Sequence, residues 1–111
     1  MTNEEVEQKL KDITETLSKK FDPEKLILFG SRAWGTPHED SDFDVVMIKS
    51  EVPDKIEMMR DVSRAFIGKR CSLDVLIYTP EEIEYRRFGD PFVRQVLEEG
   101  KLLYEKTHHS S

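Results

Sequence analysis

The chain has 111 residues, enough for one domain of ordinary size and too few for two. Apolar residues make up 37% and charged residues 36%, so a modest core lies under a heavily charged surface. The net charge of −6 disfavours nucleic acid as a direct partner, and no apolar run approaches the ~20 residues of a membrane span.

Thr2 and Glu5 have the spacing of a helix capping box. Val6, Leu10, Ile13, Leu17 and Phe21 then recur at helical intervals, which predicts an amphipathic helix over 3–20, broken by Asp22-Pro23. Lys25 to Phe29 reads as a short buried strand, Gly30 to Trp34 as a turn, and Thr36 to Asp40 as a polar loop. Asp42 to Ile48 is a second strand, rich in β-branched and apolar residues. A helix starts at Pro53, carries Ile56, Met59, Val62 and Phe66 on its apolar stripe, and ends at Gly68. Met58 and Met59 are expected in the core, and the basic residues Arg60, Arg64, Lys69 and Arg70 on a solvated face.

Cys71 to Tyr78 is the third strand. Thr79-Pro80-Glu81-Glu82 caps a helix, and Asp90-Pro91 starts another with Phe92, Val93, Val96 and Leu97 facing the core. Gly100 stops it, and Leu102 to Tyr104 form a last strand at a sheet edge. Tyr78, Tyr85 and Tyr104 are expected in the core or at its rim, and Trp34 in packing or at a rim. The order α-β-β-α-β-α-α-β predicts an α/β fold, a small mixed β-sheet with helices packed on it, spanning residues 1–105. Residues 106–111 read as a frayed tail, and its His108-His109 pair is a weak metal signal. Cys71 is the only cysteine and forms no internal disulfide, and the acidic N-terminus has no apolar signal segment. Both point to the cytoplasm.

The chemistry concentrates in Gly30-Ser31-Arg32-Ala33-Trp34-Gly35 and Asp42-Phe43-Asp44. Alternate residues of a strand share a face, so Asp42 and Asp44 point together while Phe43 enters the core. Two carboxylates that close repel unless a cation sits between them. Asp74 lies in the apolar third strand, where burying an unpaired acid is expensive. If that strand pairs beside the second, all three acids converge. Such a set suits Mg²⁺, and two such ions can clamp an in-line phosphoryl displacement. Gly30 lets the backbone approach a phosphate, the Ser31 hydroxyl donates to its oxygens, and Arg32 neutralises charge.

Gly30-Ser31, ten residues, then Asp42-x-Asp44 resembles the signature of the DNA polymerase beta-type nucleotidyltransferase superfamily. With Ser41-Asp42-Phe43-Asp44 and Asp74 on a later strand, the chain resembles the smallest members, the minimal nucleotidyltransferases often encoded beside HEPN-domain proteins. Trp34 departs from the small or basic residue often found there. The resemblance implies a polymerase beta-like palm, with Asp42, Asp44 and Asp74 as the catalytic and metal-binding acids. Asp74 would also be the base that readies the acceptor hydroxyl, while Gly30, Ser31 and Arg32 bind the nucleotide. It further implies two Mg²⁺ ions, ATP as substrate, and an antitoxin that adenylylates a tyrosine of a HEPN-type ribonuclease toxin. Alternatives are transfer to a small molecule such as an aminoglycoside, and neutralisation by binding alone. The domain is too small for a closed acceptor pocket, so a partner protein or a second copy is expected to complete it.

Overall fold

Helix α1, Asn3–Phe21, forms because Leu10, Ile13 and Leu17 fall on one face and are all buried. Glu4 and Glu5 at its start and Lys19 and Lys20 at its end complement the helix dipole. Asp22, at φ 48°, turns the chain out of the helix ahead of Pro23. There follow β1 (Lys25–Phe29), β2 (Phe43–Ile48), α2 (Lys55–Ala65), β3 (Leu73–Tyr78), α3 (Pro80–Arg86), α4 (Pro91–Glu99) and β4 (Lys101–Glu105). This is the element order expected from the sequence. The computed structural model describes residues 3–30, 43–68 and 73–107. The Thr2 cap, the loop after Gly30, Cys71 and the tail histidines lie outside them, so those expectations are not addressed.

The strands make one four-stranded sheet in the order β3-β2-β1-β4. β1 pairs antiparallel with β2 and with β4, whereas β2 and β3 run parallel, so the sheet is mixed. One face carries Leu26, Leu28, Phe43, Val45 and Met47 under α1 and α2. The other carries Ile27, Val46 and Ile48 under Val96 of α4. Covered on both faces, β2 reads as a nearly continuous apolar run. Among the described residues no helix is long and apolar enough to cross a membrane.

Four expectations need correction. α2 starts two residues later than Pro53 suggested, because the Asp54 carboxylate caps it by accepting from the N–H of Ile56 (3.0 Å) and Glu57 (3.1 Å). Its apolar stripe is not all core: Val62 is buried, but Ile56 is 65% and Met59 48% exposed. α2 packs over β3, the last strand on that side, and the stripe overhangs the edge of the sheet. On α4, Val93 and Val96 are buried while Leu97, a further 100° around the helix, faces out. Tyr85 is likewise on the surface, unlike the half-buried Tyr78 and Tyr104.

The Thr79 capping box forms as the spacing predicts. Thr79 Oγ1 accepts from the Glu82 N–H and the Thr79 N–H donates to Glu82 Oε1, each at 3.2 Å. Lys55 Nζ donates to Glu82 Oε2 at 2.6 Å, tying the start of α2 to the start of α3. Partial burial pushes the Glu82 carboxyl up. The Lys55 hydrogen bond and charge, with both Thr79 contacts, outweigh it and hold the carboxyl below its ordinary value. A depressed folded-state pKa adds stability above the unfolded pKa, and that stability is lost as pH falls through the folded pKa. Below about pH 4.3, an ordinary glutamate value, wild type is therefore expected to lose more stability than Glu82→Gln. Denaturant titrations of both proteins at neutral pH and at progressively lower pH check this; parallel loss in the two would contradict it.

Candidate active site

Asp44 is the second residue of β2 and Asp74 the second residue of β3. The parallel register sets them directly opposite each other. Their side chains therefore leave the same face of adjacent strands, whose backbones are about 4.8 Å apart. On its other side Asp44 is paired with Phe29, the last residue of β1, so the turn at Gly30 arrives beside its carboxylate. Gly30 has φ +80°, and a Cβ built there would lie 2.5 Å from Asp44 Oδ2. The carboxylate thus fills the space that only glycine leaves open.

The same face of β2 continues into Val46 and Ile48, which α4 covers. Phe92 of α4 meets Phe29 edge-on at 5.2 Å, beside the strand position that pairs with Asp44. Asp44 is half-buried and Asp74 is exposed. The expectation that Asp74 is a buried acid in need of a partner is corrected: it sits near the start of its strand, open to solvent. Its place opposite Asp44 is what distinguishes it. Both acids line an open cleft of about 580 Å³. The far wall is Met59, Ser63 and Phe66 of α2, with Leu73 and Leu76 of β3. Sequence reasoning missed this wall. The signal was the helical spacing of 59, 63 and 66, but part of that stripe was assigned to the core.

Of the residues singled out from the sequence, the structure brings together Gly30, Asp44 and Asp74. Ser31, Arg32 and Asp42 lie outside the described residues. Two carboxylates side by side at the mouth of a solvent-open cleft offer the oxygen ligands that Mg²⁺ takes, with room for water and phosphate oxygens. Among the described residues no cluster of three or more His, Cys, Asp or Glu side chains that could hold a metal forms.

Residues 11–109 match the family described as Polymerase beta, Nucleotidyltransferase. The chain belongs to this nucleotidyltransferase family. It is 30% identical over 100 residues to a protein of Methanocaldococcus jannaschii named as a protein adenylyltransferase, a match spanning 88% of this chain and 97% of that one. The fold is shared with solved nucleotidyltransferase structures. One, from Sulfolobus solfataricus, aligns with TM-score 0.62 at 24% identity, covering 88% of this chain and 79% of that chain. The mutant MntA-HpeT toxin-antitoxin structure aligns with TM-score 0.62 at 18% identity, covering 88% and 74%. A toxin-antitoxin structure with AMP-PNP aligns at 0.58 with 21% identity, covering 88% and 74%. As a nucleotidyltransferase domain, the chain is an enzyme with its acids at the open end of a mixed sheet.

Proposed function

We propose that this nucleotidyltransferase is a cytoplasmic, Mg²⁺-dependent protein adenylyltransferase, and that it serves as the antitoxin of a HEPN-type ribonuclease toxin. It transfers AMP from ATP to a tyrosine hydroxyl of the toxin. The observation that carries the reading is the direct pairing of Asp44 with Asp74 across β2 and β3, with Gly30 held open beneath the Asp44 carboxylate. The M. jannaschii relative named as a protein adenylyltransferase, matched along nearly its whole length, supports a protein acceptor. The neighbours named as toxin-antitoxin structures support the biological setting.

In this reading the turn at Gly30 brings its backbone close to the triphosphate, the Ser31 hydroxyl donates to a phosphate oxygen, and Arg32 balances charge. Asp42, Asp44 and Asp74 hold the metal, which when bound neutralises phosphate charge and stabilises the entering and leaving oxygens. The acceptor oxygen attacks the α-phosphorus, the bond from that phosphorus to the bridging oxygen breaks, and pyrophosphate leaves. The hydroxyl proton passes to the Asp74 carboxylate, which is exposed where the acceptor arrives. Reaction at an open cleft needs the acceptor's own bulk to exclude water.

The test is to incubate the chain with ATP, Mg²⁺ and the product of the neighbouring reading frame, then measure that protein's intact mass. A gain of one or more AMP units is expected. No gain, or an equal gain with Asp42→Asn plus Asp44→Asn, would contradict the proposal.

A further inference from the structure

The two edges of the sheet are built differently. β4 is a five-residue strand flanked by Gly100, carries the exposed charges Lys101 and Glu105, and shifts register against β1 between Leu26 and Ile27. Those are the features that keep an edge strand from pairing with another chain. β3, at the other edge, carries one exposed charge, Asp74, but no register shift against its neighbour. Leu73-Asp74-Val75-Leu76-Ile77-Tyr78 contains no Lys, Pro or Gly and keeps one register with β2 along its whole length. Among the described residues nothing pairs with its outer side. The direction of its free groups follows from one hydrogen bond. The Tyr78 carbonyl accepts from the Lys49 N–H at 2.9 Å, so alternate residues Asp74, Leu76 and Tyr78 direct their backbone groups toward β2. Those of Val75 and Ile77 point outward.

This edge borders the cleft that holds the acids. We propose that the outer edge of β3 is the acceptor's docking edge: an extended segment of the acceptor protein pairs with it as a fifth strand and sets its hydroxyl side chain beside Asp74. The inference rests on the transferase reading above and names how the substrate is held. Strand addition supplies affinity through the backbone, and alternate side chains supply specificity. A side chain beside Asp74 shares its face and lies about 5 Å from it, within reach of proton transfer once oriented. The residues on either side of it point to the opposite face, toward Met59 and Phe66 on the cleft wall. Apart from Ser63 that wall is apolar, and Met59 is half exposed, so the flanking residues of the acceptor are apolar. Exposed Arg60, in the helical row of Ile56 and Ser63, favours acidic side chains farther along the segment.

The test uses the full chain, Mg²⁺, α-labelled nucleoside triphosphates and synthetic peptides centred on Tyr, Ser or Thr with randomised flanks. Labelled peptides are expected to carry apolar residues on both sides of the hydroxyl residue. N-methylation of a labelled peptide, one position at a time, is expected to cut labelling about tenfold at every second position and to leave the positions between unchanged. Sensitivity without that alternation, or labelling of the folded acceptor with no peptide labelled, overturns the inference. Hydrogen exchange separates it from the transferase reading. Acceptor binding that protects the Val75 and Ile77 amides without labelling keeps the docking edge and sinks the chemistry. Labelling without that protection keeps the chemistry and sinks the edge.

Discussion

Asp44→Asn is expected to lower nucleotidyl transfer by about 10²-fold to 10³-fold while leaving the protein at least as stable as wild type. The two effects have one cause. Asp44 and Asp74 sit directly opposite each other on adjacent strands, where like charges repel. Without a divalent cation that repulsion works against folding, and the neutral amide, of nearly the same shape, removes it. With a cation present the sign reverses, because wild type gains binding energy that the variant loses. Thermal unfolding without divalent metal is therefore expected to show the variant equal or higher. Added Mg²⁺ should raise the wild-type midpoint and move the variant little. A variant that unfolds earlier in both conditions would mean that Asp44 is a structural residue.

Gly30→Ala is expected to damage both the fold and the reaction. The backbone at Gly30 has φ +80°, a region that costs an alanine about 1–3 kcal/mol. The new methyl would also fall 2.5 Å from Asp44 Oδ2 and push the carboxylate aside. A displacement of about 1 Å at a reacting centre is worth about 10²-fold in rate. Gly68→Ala is the control. Its φ is +83°, but among the described residues no atom lies within 4 Å of the position of its Cβ. It carries the strain without the collision, so it should lose comparable stability and keep its activity. Urea unfolding and initial rates for the two variants separate strain from displacement. Equal loss of activity in both would contradict the role assigned to Gly30.

The fold was legible wherever local chemistry decides it. The helical spacing of Leu10, Ile13 and Leu17, the Thr79 box and the strand run into Phe29 each specify their element without tertiary help. So did the element order and the mixed sheet. What the sequence left hidden depends on the edge of the sheet. Periodicity marks Ile56, Met59, Val62 and Phe66 as one stripe, but burial depends on whether a strand lies beneath. β3 is the outermost strand, so part of the stripe became the wall of the cleft. The alternation rule placed Asp44 on the face opposite Phe43, and the parallel register then put Asp74 beside it. The exposure of Asp74 was not readable, because an acid among Leu, Val and Ile looks the same in a strand covered on both faces and in one open at its end.

In the proposed reaction these acids serve attack at the α-phosphorus of a nucleotide. It is tested most directly by running parallel reactions with α-labelled and γ-labelled ATP, Mg²⁺ and the acceptor protein. Label is expected on the acceptor from the α position only, with pyrophosphate released in step, and no label with the Asp42→Asn, Asp44→Asn, Asp74→Asn triple variant. Label arriving from the γ position, or unchanged labelling by the triple variant, would contradict it.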